Sequence, residues 1–484
     1  MNKKIYAGYL KKKRQAVIRL GISFVVSAYL VLSGQFILLL GFLILLFVVN
    51  ELFLADHIFY DPNNDYQYTF DDATKIPPDW ISSTVGFKRS WKKEAYDTGL
   101  LAIHVHHSLS GKFLDPFVVI KSGDITRQQY FERSVDGLRY INISDFINSG
   151  EAVIFEANNC ELMTESADIL LFSNPSLDNK KVLIIAPHAD DAEIAAFGLY
   201  STKDSSIITI TAGEIDAKEY ELDGRDSKQA SLHKGRLRSW DSIAVPQWAG
   251  LKQQNAIQLG YFCMCLKEMH DAPDEAISSK TADVYDTRVF REFNTQALAS
   301  DMHGKPSWDT LIADLVECIE QAQPDVIVTP HMQLDPHQDH QYSTLALQQA
   351  LEKAKNKPSA LYFYANHLVF SDMFPFGPVS TLASMPPNMG ESLEIGSVVS
   401  IPMSLEQQRN KAASLAMMHD LQTPLRWKKK LRFKLQEWFA SRSLSPYGED
   451  EYFRKSIRCN EFFFHLSIKR FLEQQSIIKK RKYF

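Results

Sequence analysis

Three patterns of apolar and polar positions follow one another along the chain. The first is an unbroken apolar run. Between Arg19 and Glu51 no side chain is charged at neutral pH, and residues 20–50 are dominated by Leu, Ile, Val and Phe. Such a run reads as a membrane segment. As one straight helix it would be roughly 46 Å long at about 1.5 Å per residue, beyond the ~30 Å hydrocarbon core. Ser33-Gly34-Gln35 interrupts it near the middle, so two shorter helices, about 17–32 and 36–54, are the alternative to one tilted span. The following stretch, rich in Asp, Asn, Pro and Tyr with little periodicity, reads as a linker over 56–83.

The second pattern begins near residue 84. Short β-like runs at 100–106, 117–120, 138–143, 152–155 and 169–172 are separated by turn-prone residues, which predicts a β-sandwich-like domain over 84–178. At Lys181 the pattern changes again. Residues 182–186 form a continuous apolar run suited to a strand buried on both faces of a parallel sheet. Predicted helices at 191–200, 234–243 and 308–322 alternate with strands at 207–211 and 325–329, giving an α/β domain of Rossmann-like, doubly wound and mostly parallel type over 179–404. The polar stretch 271–305 reads as an insertion over the sheet edge. Residues 405–484 are patterned as a helical, basic extension packing on that domain.

With 484 residues, 45% of them hydrophobic, the chain can bury several cores. A net charge of −5 leaves no global basic field, which excludes nucleic acid as a partner of the whole molecule. Local charge says more. The first 19 residues carry seven basic side chains and no acid, placing the N-terminus on the cytoplasmic side. One crossing would put the body outside, whereas a two-helix hairpin would return it to the cytoplasm. Five scattered cysteines argue against a disulfide framework and for a reducing compartment, which favours the hairpin at a bacterial-type inner membrane. So does the stretch 426–434, whose six basic residues interleave with Trp427, Leu431 and Phe433; it reads either as a solvated helix face or as a segment lying on membrane lipid. Cys263-Met264-Cys265 is too closely spaced for a redox pair or a zinc knuckle and reads as structural. His104, His106 and His107 read as strand packing.

The chemistry concentrates in two clusters. Pro187-His188-Ala189-Asp190-Asp191 follows a buried strand directly and opens a helix. His188 and Asp191 can converge there on one ion, leaving Asp190 free beside it. Asp335-Pro336-His337-Gln338-Asp339-His340 lies just beyond the strand at 325–329, which delivers it to the same sheet edge. His188, Asp191 and His340 then form a two-His, one-carboxylate set with an open position for water or a substrate oxygen. A lone loop His or Asp is usually an ordinary surface group; two such turns on one edge are not explained by solubility. Nothing in the spacing requires His303 or His331 to line the site.

This paired signature resembles the PIG-L/LmbE family of zinc-dependent N-acetylglucosaminyl deacetylases, across about residues 181–351. Thr211-Ala212-Gly213-Glu214, Arg238-Ser239-Trp240-Asp241 and the segment 323–328 agree with it, and 411–422 is a weaker echo. The resemblance implies that His188, Asp191 and His340 bind one Zn2+ or another divalent ion. It implies Asp190 as general base on the attacking water, and then as general acid, with His337 assisting the oxyanion. Asp339 would accept the other N–H of a metal-bound imidazole. Arg238 would contact substrate hydroxyls or phosphate, or pair with Asp241. Ala189, Ala192 and Asp241 depart from the family's usual Pro, Glu and Glu, and Glu193 can stand in for the second. The function implied is a membrane-anchored hydrolase removing acetyl from an N-acetylated amino sugar that is lipid-linked, nucleotide-linked or part of a surface polysaccharide precursor. Its rivals are a membrane-anchored glycan-binding protein and an amidohydrolase acting on a non-sugar amide.

Overall fold

The computed structural model describes residues 3–56, 58–81, 85–222, 224–442 and 445–478. The N-terminal apolar segment is two helices, Lys3–Leu32 and Phe36–Val49, the second running into a π-helical turn Asn50–Leu54. The break falls at Ser33-Gly34-Gln35, where Gly34 takes a φ of 70°, a conformation that costs glycine little. Among the described residues, Phe36–Leu54 is the helix long and apolar enough to cross a membrane by length and composition; Ala16–Leu32 is shorter. The side chains of Lys3, Lys4, Lys11 and Lys12 lie outside the described residues.

Two antiparallel sheets follow. Thr74–Ile76, Cys160–Phe172, Thr98–His107 and Asp136–Asn142 are neighbours in one. Asp79–Trp80, Gly86–Lys88, Val153–Asn158, Phe117–Ser122 and Ile125–Tyr130 are neighbours in the other. Phe87, Leu101, Ile103, Val118, Ile120, Ile141, Phe155 and Leu171 from both sheets share one buried cluster. The linker expected over 56–83 is corrected here. Thr74–Ile76 and Asp79–Trp80 are strands of these sheets, Tyr68–Phe70 pairs with Leu393–Ile395 more than 300 residues away, and Ile58, Tyr60 and Tyr66 are buried. Apart from Asp79–Trp80, which pairs with the nearby Gly86–Lys88, the partners of these strands are distant in sequence, so local periodicity carries no trace of them.

The third sheet has seven strands, in the order Ala256–Tyr261, Asp204–Thr211, Lys181–Ala186, Val326–Pro330, Ala360–Tyr364, Asn460–Ser467, Ser397–Pro402. The first five are parallel, while Asn460–Ser467 runs antiparallel to both its neighbours, so the sheet is mixed. This corrects the helical reading of 405–484 in one element: Asn460–Ser467 is an interior strand, and a short apolar run buried on both faces cannot be told from a helix by periodicity.

Helices Asp191–Tyr200 and Trp308–Ala322 lie where the pattern placed them. The helix expected at 234–243 spans Ser227–Ala244, because Asp226 and Gln229 form a capping box at its start. Near its middle Gly235 lies against Phe290, from the 271–305 stretch. A Cβ at Gly235 would sit 2.4 Å from Phe290 Cε1 and 3.0 Å from Glu214 Cβ. Gly235→Ala is therefore expected to destabilise by ~1–3 kcal/mol, overpacking outweighing the gain in helix propensity, as a denaturation midpoint will show.

From Lys181–Ala186 the chain moves outward to Asp204–Thr211 and Ala256–Tyr261, then returns to Val326–Pro330 on the other side. That reversal is a topological switch point, and the crevice beyond the carboxyl ends of its two strands is where open α/β sheets place their sites.

Candidate metal centre

Both clusters open into this crevice. Pro187 leaves the strand with its carbonyl accepting from the backbone N–H and hydroxyl of Thr211, each at 2.9 Å. The chain then turns so that the His188 N–H donates to Asp191 Oδ2 at 2.9 Å. Asp191 begins its helix, and His340 lies in the first turn of Gln338–Lys353.

His188, Asp191 and His340, all buried, converge. His188 Nδ1 lies 3.3 Å from Asp191 Oδ2, His340 Nε2 lies 3.2 Å from the same oxygen, and the two ring nitrogens are 3.3 Å apart. A tetrahedral ion with bonds of about 2.0–2.1 Å requires ligand atoms about 3.3 Å from one another. The outward atoms are held as well. His188 Nε2 donates to Asp339 Oδ2 at 3.2 Å, and His340 Nδ1 donates to Asp335 Oδ2 at 2.9 Å. Asn366 Nδ2 donates to Asp191 Oδ1 at 2.7 Å. Because a carboxylate only accepts, these contacts fix both tautomers and turn the inner lone pairs toward one point.

The charge balance fits a cation. Asp190, Asp191, Asp335, Asp339 and Asp420 carry five negative charges around this point against two permanent positive ones, Arg238 and Lys234. Without an ion the carboxylates draw protons instead: burial lowers His340, but Asp191 and Asp335 outweigh it and push the group up to about 10. Three further groupings overlap this one: His188 with His337 and His340, His188 with Cys263 and Asp339, and Asp191 with His340 and His367. The set His188, Asp191, His340 is preferred because each of its members is oriented by a separate outer hydrogen bond.

Asp190 stands next to the set, its Oδ1 accepting from Arg238 Nη2 at 3.0 Å, and burial raises its carboxyl against the pull of that guanidinium. Arg238 also pairs with Asp420, which binds Lys234 at 2.7 Å. Asp241 turns away to His419, at 2.7 Å, so the alternative of an Arg238–Asp241 pair is not formed. Gly213, at a φ of 65°, lets Arg238 approach; a Cβ there would lie 2.8 Å from Nε. His337 rings lie 4.8 Å from His188 and 4.9 Å from His340, centroid to centroid. Burial, then the two neighbouring imidazoles, lowers His337 to about 4, and among the described residues its buried Nδ1 has no hydrogen-bond partner.

Two expectations are corrected, those for Glu193 and Cys263. Glu193 meets no ligand; it accepts from Tyr200 Oη at 3.1 Å, and burial pushes it up to about 8. Cys263, read as structural, has its Sγ 3.3 Å from Asp339 Oδ2 and 3.6 Å from His188 Nε2. His331 packs on Phe363 and Phe464, His303 is exposed, and His106 pairs with Asp136 on the distant β sheet. Sequence reasoning gave no role to Asp335, Asn366, Asp420, His367 or Tyr452. His367 stacks on His337 at 5.2 Å, and Tyr452 Oη lies 3.0 Å from His367 Nδ1. Asp335 and Asp420 stood inside segments already singled out; Asn366 and His367 follow a strand that had not been recognised.

Asp335 offers the first test. Its Oδ2 also accepts from the Asn366 and His367 backbone, at 3.1 and 3.2 Å. Asp335→Asn is expected to weaken divalent-metal affinity by about 10–100-fold, measured by competition with a chelator.

Residues 183–351 match the PIG-L family, described as GlcNAc-PI de-N-acetylase. No curated protein matches the chain. Solved structures similar to it include N,N'-diacetylchitobiose deacetylase from Pyrococcus horikoshii, at 14% identity over 61% of this chain and 88% of that one, with a TM-score of 0.32. The 4-carboxy-2-hydroxymuconate hydratase from Pseudomonas putida follows at 12% identity, 59% and 96% coverage and a TM-score of 0.31. A conserved protein from Thermus thermophilus stands at 16% identity, 59% and 93% coverage and a TM-score of 0.29. With its two His/Asp turns meeting at the switch point of the sheet, the chain carries a domain of the PIG-L family.

Proposed function

We propose that the chain is a membrane-anchored, metal-dependent N-deacetylase that hydrolyses the acetamide of an N-acetylated amino sugar. The observation that carries this reading is the triangle of inward atoms on His188, Asp191 and His340, 3.2–3.3 Å on each side, with Asp190 adjoining it. The family description, a de-N-acetylase acting on a GlcNAc conjugate, points the same way. In this reading residues 1–55 are the anchor, 84–178 a sandwich-like domain, and 179–404 with 405–484 the catalytic body, facing the cytoplasm.

A divalent ion held by the three ligands, Zn2+ by preference for this donor set, would acidify water and polarise the amide carbonyl. Asp190 accepts the proton of the attacking water as its oxygen bonds to the carbonyl carbon. Arg238 fixes that carboxylate in place through its 3.0 Å contact. His337, held neutral, donates an N–H to the oxyanion. The proton on Asp190 then passes to the nitrogen, the C–N bond breaks, and acetate and the free amine leave.

The deciding experiment is metal analysis of the purified chain combined with acetate release from lipid-linked, nucleotide-linked and free N-acetylhexosamines. A copurifying divalent metal and chelator-sensitive acetate release are expected. A chain that holds no metal and releases no acetate from any of them overturns the proposal.

A further inference from the structure

The junction between the apolar helix and the body is built as a rigid mount. Glu51, buried at the end of that helix, pairs with Arg432 at 2.5 Å, and its carbonyl accepts from Gln436 Nε2 at 3.0 Å. The Leu52 carbonyl accepts from Arg133 Nη1 at 2.7 Å, and Asp56 is held by both terminal nitrogens of Arg442. Leu52, Leu435 and Ala440 share a small core with Phe47, Val48, Phe53 and Leu431. The body therefore cannot swing freely about its anchor, and whatever surrounds the junction lies at the level where the apolar segment ends.

What surrounds it is unusually apolar for an exposed surface. Arg432, Leu435 and Gln436 turn the inner side of helix Trp427–Ala440 onto the anchor. Trp427, Lys434 and Trp438 are seven and four residues apart, within about 20° of one line that flanks this inner side, roughly a third of a turn around the helix. The two tryptophans are 75% and 68% exposed, and Phe439 is 62% exposed. On the other flank, the Phe113 ring meets Phe53 at 5.4 Å and is itself 50% exposed, with Leu109 beside it at 78%. Lys434, exposed, stands on the line of the two tryptophans, while Lys428 and Lys430 of the same helix pair with Glu51 and Glu449, at 3.6 and 2.8 Å.

We propose that this collar, helix Trp427–Ala440 with the Leu109–Phe113 loop, seats the body on the surface of the bilayer that Phe36–Leu54 enters, its aromatic rings at headgroup depth and Lys434 against anionic lipid. Tryptophan is favoured at that depth because its ring is apolar and its N–H polar, and lysine because its stem lies along apolar surface while its ammonium stays wet. The seat rests on the anchoring part of the proposed function and not on the chemistry. It also bounds where substrate arrives. Asp420, which holds Arg238, is seven residues from Trp427, so its backbone lies at most about 25 Å from that of the tryptophan.

The test is the full chain reconstituted in phosphatidylcholine–phosphatidylglycerol vesicles, with and without lipid brominated on its acyl chains. Brominated lipid is expected to quench tryptophan fluorescence, and the exposed pair W427F/W438F to lose most of that quenching. The native cysteines are all buried, so L109C can be labelled selectively with a polarity-sensitive dye, whose emission should shift to the blue on reconstitution. Quenching that persists undiminished in W427F/W438F, or an unshifted dye at position 109, overturns the proposal. So does a W427F/W438F variant that turns a dimer into a monomer in detergent without a change in quenching, which would make this face a contact with a second copy. A full chain that fails to float with vesicles but still releases acetate sinks the seat and the anchor together and leaves the hydrolase standing.

Discussion

Asp190→Asn is expected to lower kcat for acetate release by at least about 100-fold while the metal content of the chain stays the same. The two halves of that result come from different parts of the site. The three proposed ligands keep their outer hydrogen bonds to Asp339, Asp335 and Asn366, none of which involves Asp190. An amide oxygen can still accept from Arg238 Nη2, so the geometry of the corner survives. What is lost is the ability to take a proton from water and return it to the leaving nitrogen. Parallel loss of metal would instead make Asp190 a ligand and require a different base. Unchanged kcat would remove the proton-transfer role and with it most of the proposed mechanism.

The second large effect is expected on stability. Lys411→Met should destabilise the fold by about 3–5 kcal/mol, read as a fall in the unfolding midpoint of the detergent-solubilised chain. Lys411 Nζ lies 2.8 Å from Glu461 Oε1, and the two side chains are only 1% and 2% exposed. Glu461 also accepts from the backbone N–H groups of Gly198 and Leu199, at 2.8 and 3.0 Å. The pair thus ties helix Leu405–Met417 and the strand Asn460–Ser467 to the end of the helix that begins at Asp191. Removing only the lysine leaves a buried carboxylate without its cation. Lys411→Met combined with Glu461→Gln should recover much of the loss, since the cost lies in the unpaired charge.

How legible these features were in the sequence depended on how locally each was encoded. His188 and Asp191 are three residues apart, and His340 lies eleven beyond the end of a strand read as buried; apolar runs and adjacent polar turns are local patterns. Helices Asp191–Tyr200 and Trp308–Ala322 were legible for the same reason. The surroundings of the ligands were not. Asn366 and His367 follow the strand Ala360–Tyr364, which had no recognised place, and Cys263 reaches Asp339 from a turn after the strand Ala256–Tyr261. Nothing near Arg238 in the chain indicates that Asp420, 182 positions on, takes the place expected of Asp241.

The sequence by itself determined the apolar N-terminal segment, the α/β grammar after Lys181 and the two His/Asp turns, because each is written in periodicity or in neighbouring residues. Only the tertiary structure decided that the two turns face one point, that Asn460–Ser467 closes into the sheet, and that the helix Trp427–Ala440 lies against the end of the apolar N-terminal helices. Those outcomes depend on which buried surfaces and charges meet across hundreds of residues. The free energy of such meetings belongs to pairs of segments, so no single segment carries its record.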